Sequence, residues 1–183
     1  FGRSAASQEY GAWDIEILAE INNAPRLTRE QIRQEAERFR ASGADVIDIG
    51  CTPGLAFPEL ADVVRELVEA GMRVSIDTFD VDEIRSAVQA GATCVLSVNQ
   101  SNVEIAKELS SYPVRWVAVP ELGGPIETLE PTIAKLDEWA VSYLIDPILE
   151  PIGIGFMASL ERYANARRRW PDAEMLMGIG NLT

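Results

Sequence analysis

One short unit recurs along this chain and constrains its fold more than any other feature. A helical stretch ends in a small residue and a glycine, and an apolar run follows at once: ASGADVIDIG from Ala41, EAGMRVSIDTF from Glu69, QAGATCVLSVN from Gln89. Gly43, Gly71 and Gly91 stand where a helix is closed by a residue in the left-handed region, which glycine enters without steric cost. Helix starts agree with this. Thr28-x-x-Gln31, Asp80-x-x-Glu83 and Ser101-x-x-Glu104 read as capping boxes, and Pro58 suits the first turn of a helix running to Ala70. Inside that helix Leu60, Val63, Val64, Leu67 and Val68 form one apolar stripe.

The spacing predicts seven strands, at 15–22, 45–50, 73–78, 93–98, 114–120, 142–147 and 174–179. Most are continuous apolar runs, as in parallel strands covered by crossover helices. Seven consecutive βα units without a nucleotide-binding glycine fingerprint indicate an α/β protein of the TIM type, a (β/α)8 barrel truncated to about seven units. A full barrel takes about 250 residues, against 183 here. The expectation is therefore that residues 1–183 form one barrel domain cut from a longer protein, with a further strand and helices beyond Thr183 or supplied by something else. A first residue of Phe fits an excised piece.

Composition narrows the partners. The formal charge of −13 disfavours nucleic acid and anionic lipid. No apolar run approaches the roughly 20 residues of a membrane span, and the first residues lack a signal-peptide layout, so a cytoplasmic protein is expected. There is no histidine, which removes Ser-His-Asp and Cys-His nucleophilic schemes. Cys51 and Cys94 fall in or beside strand-like runs and read as reduced thiols.

Barrel chemistry sits at the C-terminal strand ends. Those ends carry Asn22 and Asn23, Asp48 with Cys51 and Thr52, Asp77, Ser97 with Asn99, Glu121, Asp146, and Asn181. Carboxylates converging in a low-dielectric mouth repel one another unless donors compensate, and this rim supplies no Lys, Arg or His. A ligand or a metal should bring the donors. A heterocycle with adjacent N–H groups, as in a pterin, would fit, since a carboxylate accepts two parallel hydrogen bonds. Asp48 and Asp77 could instead cap their own loops.

These residues carry a family resemblance. AEINNAP after the first strand, DVIDIGCTPG at the second, SIDTFDVDEIRSAVQAGA at the third, LIDPI followed by GIGF after the sixth and GIGNLT at the seventh resemble the pterin-binding barrel family. That family comprises dihydropteroate synthases and methyltetrahydrofolate-binding methyltransferases. LIDPI…GIGF is similar to the synthases, whose Asp-Pro-Gly-Ile-Gly-Phe-Gly-Lys is here interrupted and ends in Met157 rather than lysine. AEINN and GIGNLT are more similar to the methyltransferases. The chain most resembles the synthase-related proteins of methanopterin-using archaea and methylotrophic bacteria, in which the barrel is one part of a longer polypeptide.

The resemblance implies that Asp77 and Asp146 accept hydrogen bonds from the pterin's amino and ring N–H groups and that Asn181 contacts its ring nitrogens. Gly178 would let the flat ring approach, and Asp48 would belong to the same pocket. Asn23 matches a first-loop asparagine near a diphosphate and its Mg2+. The family's fourth-strand asparagine is unmatched, with Leu96 in that register, Ser97 next and Asn99 as a substitute.

Three activities follow. A synthase would join a hydroxymethyl-dihydropterin diphosphate to an arylamine, a ribofuranosyl-aminobenzene phosphate in the methanopterin relatives, with Arg26 the evident cation. A methyltransferase would pass a methyl group from a tetrahydropterin to a corrinoid protein. A carrier or scaffold domain would bind pterin without turnover. Cys51, the four tryptophans Trp13, Trp116, Trp139 and Trp170, and the acidic stretch from Glu127 to Glu130 read as packing or solvated-surface residues. Pairing through outer helices into a homodimer is open to barrels of this family.

Overall fold

The computed structural model describes residues 15–182. Seven parallel strands lie in sequence order: β1 (Leu18–Ile21), β2 (Val46–Gly50), β3 (Val74–Asp77), β4 (Cys94–Val98), β5 (Arg115–Ala118), β6 (Tyr143–Ile145) and β7 (Glu174–Met175). Six helices alternate with them: α1 (Arg29–Ala41), α2 (Leu60–Glu69), α3 (Val81–Ala90), α4 (Glu104–Glu108), α5 (Leu129–Glu138) and α6 (Phe156–Arg169). The architecture is the expected incomplete (β/α)8 barrel, and each predicted strand contains an observed one. Trp13 lies outside the described residues.

Gly43, Gly71 and Gly91 all have positive φ, as their place after a helix requires. Thr28 and Gln31 form a reciprocal capping box. Asp80 Oδ1 accepts from the Asp82 and Glu83 amides, but the Glu83 carboxylate takes the Thr78 hydroxyl at 2.6 Å rather than reaching back to the cap. The box expected at Ser101 does not form: α4 starts at Glu104, and Asn99 Oδ1 accepts the Ser101 amide at 2.9 Å and its hydroxyl at 2.6 Å. Asparagine folds its side chain onto the backbone two residues ahead more readily than serine caps a helix of one turn.

Side chains alternate across the sheet. Ile47, Ile49, Val74, Ile76, Val95, Trp116, Ala118 and Ile145 point outward and pack with the helices in the main core. On the inner face β4 to β7 present a second, apolar cluster of Cys94, Val117 and Val119, with Leu96, Leu144, Ile148 and Leu176 packed against it. The inner face of β1 to β3 is polar instead. There Glu20 pairs in register with Asp48, Asp48 with Ser75, and Gly50 with Asp77. The barrel interior is therefore divided, with an apolar half and an acidic half.

Candidate functional site

β3 and β6 each deliver an aspartate to the C-terminal mouth. Asp77, half-buried, accepts the Ser97 hydroxyl on Oδ1 at 2.9 Å. Ser97 reaches it because β4 shifts register between Val95 and Val98 and because Ser97 itself has φ of 74°. A non-glycine residue in that region is uncommon and concentrates at functional sites. Burial pushes the Asp77 carboxyl above the usual carboxylate range, and the Ser97 hydrogen bond opposes that.

Asp146 Oδ1 accepts the Tyr163 hydroxyl at 2.7 Å and the Ile148 amide at 2.8 Å. Ile148 has φ of 65°, a strained state for a β-branched residue. Arg162 braces this loop, donating to the carbonyls of Pro147 at 3.1 Å and Ile148 at 2.8 Å and pairing with Glu150 at 3.1 Å. Burial raises the Asp146 carboxyl; Tyr163 and the Ile148 amide lower it, and the charge of Asp77 raises it again. Among the described residues no donor reaches Oδ2 of Asp77 or of Asp146, so each carboxylate is held by one oxygen and offers the other.

Asp48 is 1% exposed, with Oδ1 taking the Ser75 hydroxyl at 2.6 Å and Oδ2 buried without a hydrogen-bond partner. Burial above all, with Asp77 and Glu20 adding repulsion, pushes its carboxyl up to about 8. Glu20, exposed at the end of β1, is raised by desolvation and by Asp77. One carboxylate oxygen from each of Glu20, Asp48 and Asp77 lies within 4.8 Å of the others.

The remaining predicted residues are arranged differently. Asn23 follows β1 with φ of 54°, and its Oδ1 accepts the Thr52 hydroxyl at 3.1 Å, linking the first and second loops. Asn99 is 6% exposed and its amide oxygen is committed to Ser101. β7 ends at Met175, so Asn181 sits in a 3-10 turn (Ile179–Leu182) and donates to the Leu149 carbonyl at 3.0 Å. A Cβ on Gly178 would lie 3.3 Å from the Asn181 side-chain nitrogen, so the missing side chain leaves room for that amide. Cys51 and Cys94 are free thiols; burial pushes Cys51 upward and Cys94 up to about 12, far from a reactive thiolate.

Sequence reasoning missed Glu20, Ser75, Tyr163 and Arg162. Ser75 and Glu20 alternate with outward apolar residues, a period-2 signal that could have been read. Tyr163 and Arg162 follow the mouth in sequence on a helix, and only the folding back of α6 brings them to Asp146. Around the mouth Phe79, Leu122, Ile152, Ile154 and Ile179 are exposed, giving the acidic floor an apolar collar.

Comparison with known proteins bears on the fold and the family. An uncharacterized protein of Methanocaldococcus jannaschii is 28% identical across 99% of this chain and 40% of its own length. The dihydropteroate synthase of Mycobacterium leprae is 32% identical across 42% of this chain and 31% of that protein. The chain thus spans less than half the length of the curated relatives it matches. A solved structure of dihydropteroate synthase from Xanthomonas albilineans in complex with 7,8-dihydropteroate superposes with a TM-score of 0.67 at 22% identity, covering 88% of this chain and 70% of that one. The family described as pterin binding enzyme matches residues 22–125, a stretch that takes in β2 to β5 together with Asp48, Asp77 and Ser97. More than half of the chain lies inside that match, and on that ground it belongs to the pterin-binding enzyme family.

Proposed function

We propose that this chain is the pterin-binding barrel of a dihydropteroate synthase-related enzyme, joining a hydroxymethyl-dihydropterin diphosphate to an arylamine in tetrahydromethanopterin or folate biosynthesis. The observation that carries the reading is the pair Asp77 and Asp146, each fixed through Oδ1 and open at Oδ2. Open carboxylate oxygens in a water-poor mouth call for N–H donors, and the amino group and ring N–H of a pterin supply them side by side. The exposed collar of Leu122, Ile154 and Ile179 would cover the faces of a flat ring.

In the reaction the arylamine nitrogen attacks the pterin methylene carbon, the C–O bond to diphosphate breaks with its electron pair on oxygen, and the amine loses a proton. The residues here would orient the ring and exclude water, a positioning role. Asn23 of the first loop and Thr52 of the second present hard oxygens side by side, a donor set that suits the family's Mg2+. Such an ion, when bound, would neutralise the departing diphosphate. Arg26 is exposed beside them and makes no ion pair among the described residues.

One observation favours a second reading. Arg162, the basic side chain that meets the β6 loop, is spent on backbone carbonyls and Glu150 rather than offered to an anion. A barrel that binds pterin without handling diphosphate, as a methyltransferase with a corrinoid partner or as a non-catalytic carrier, would have that character. Calorimetry of a dihydropterin on the wild type and Asp146→Asn tests the pocket, and loss of binding is expected. Unchanged affinity would sink every version of it. Mg2+-dependent diphosphate binding that Asn23→Ala weakens would select the synthase, and its absence would favour the second reading.

A further inference from the structure

Glu20, Asp48 and Asp77 belong to three adjacent strands, yet their carboxylates meet. Glu20 is in register with Asp48 and Gly50 with Asp77, so the three lie on the inner face in two neighbouring layers. Gly50 lets them close up: a Cβ there would stand 2.5 Å from Glu20 Oε1. The Glu20 carboxylate therefore occupies the space of the missing side chain and lies over the other two. One oxygen from each residue is within 4.8 Å of the others, about the span of two trans oxygens around a divalent ion with bonds of roughly 2.1–2.4 Å.

Proximity of acidic groups alone would mean little. Asp48 adds an independent observation: its Oδ2 is buried with no hydrogen-bond partner, while Oδ1 is oriented by Ser75. An unpartnered buried carboxylate oxygen is costly, so structures rarely retain one without an occupant. The charged groups that act on Asp48 and Glu20 are all carboxylates. Neither Cys51 nor Cys94 belongs to the cluster, and burial disfavours both as thiolates, leaving a ligand set of carboxylate oxygens.

We infer that Glu20, Asp48 and Asp77 form a binding site for a hard divalent cation, Mg2+ or Mn2+, inside the acidic half of the barrel. All-oxygen, carboxylate-rich ligation suits hard ions of this kind. The site is separate from the first-loop position of Asn23, which contributes no atom to it. It shares Asp77, and by the family resemblance Asp48, with the proposed pterin pocket, so the cation is titrated without pterin and Glu20, which lies outside that pocket, separates the two readings.

The test is titration of the EDTA-stripped chain with Mn2+, following the free-ion electron paramagnetic resonance signal, with Mg2+ as competitor. One Mn2+ per chain is expected, displaced by Mg2+ and weakened at least tenfold in both Glu20→Gln and Asp48→Asn. Glu127→Gln, an exposed carboxylate outside the cluster, should bind as the wild type does. Circular dichroism checks that the variants are folded, and the exposed Glu20 gives an informative variant even if Asp48→Asn does not fold. Absence of a stoichiometric site, or binding that Glu20→Gln leaves unchanged, overturns the assignment. A site filled by a shared proton instead would give the first of those results.

Discussion

Tyr163 places its hydroxyl 2.7 Å from Oδ1 of Asp146 and 3.1 Å from the Leu176 carbonyl, so one side chain of α6 touches both the β6 loop and the segment after β7. Its own ionisation is pushed far upward, first by burial and then by Asp146, so it stays a donor. The bond fixes which Asp146 oxygen faces the mouth.

Replacing Tyr163 with Phe keeps the ring and removes that donor. Loss of one hydrogen bond to a charged group should cost about 1.5–3 kcal/mol of stability, read from urea unfolding. Dihydropterin affinity should fall several-fold because Asp146 is no longer aimed. Unchanged affinity would mean that the Ile148 amide alone orients the carboxylate.

Ser97 couples backbone strain to the site. Ser97→Ala removes the bond to Asp77 but keeps a Cβ at φ of 74°. Ser97→Gly removes the bond and relaxes the backbone. The glycine variant should therefore be more stable than the alanine variant by about 1 kcal/mol. Both should weaken pterin binding alike. A gap in affinity between them would show that the strain, rather than the hydroxyl, positions Asp77.

The strands were legible because helix-covered parallel strands are near-continuous apolar runs, and Gly43, Gly71 and Gly91 announced the turns before three of them. Their ends were less so: the run at 174–179 stays apolar although β7 ends at Met175, the Leu176 amide makes the last bond to β6 at the Ile145 carbonyl, and Met177 to Ile179 lie outside the sheet. That moved Asn181 from a strand end into a turn. Asp77 and Asp146 were readable as polar residues closing apolar runs. Their partners were not, since Ser97 depends on a register shift and Tyr163 on where α6 crosses. Glu20 looked like an ordinary polar residue beside a strand end until Gly50 showed where its carboxylate goes.

Two of the helix-closing glycines should differ in cost. At Gly91, φ is +114° and an added Cβ would meet both Val68 methyls at 3.3 Å, whereas at Gly43, φ is +98° with nothing within 4 Å. Gly43→Ala should lose about 1 kcal/mol from backbone strain alone. Gly91→Ala should lose more, because Val68 must shift where α2 packs on α3. Thermal melts of the two variants compare them directly, and equal losses would mean that Val68 yields freely.

At the opposite end of the barrel Glu16 bridges strands through ions, accepting from Arg73 at 2.5 Å and Arg115 at 2.7 Å. Arg115 also lies 3.7 Å from Glu174, so the starts of β3, β5 and β7 are tied to the segment that leads into β1. The two arginines hold the Glu16 carboxyl below its ordinary value of 4.5. The unfolded chain therefore binds the proton more readily, and the bridge stabilises the fold fully above about pH 4.5, its contribution fading as pH falls through the lower folded value. Glu16 is 43% exposed and Arg73 48%, so solvent screening keeps the contribution to about 1 kcal/mol or less. Glu16→Gln should lower the urea midpoint at pH 7 and low salt. That difference should shrink in 1 M NaCl and again in acid, once the pH falls below the lowered folded value and the wild-type carboxylate is itself protonated. A difference that persists in acid would assign the effect to packing of the side chain rather than to its charge.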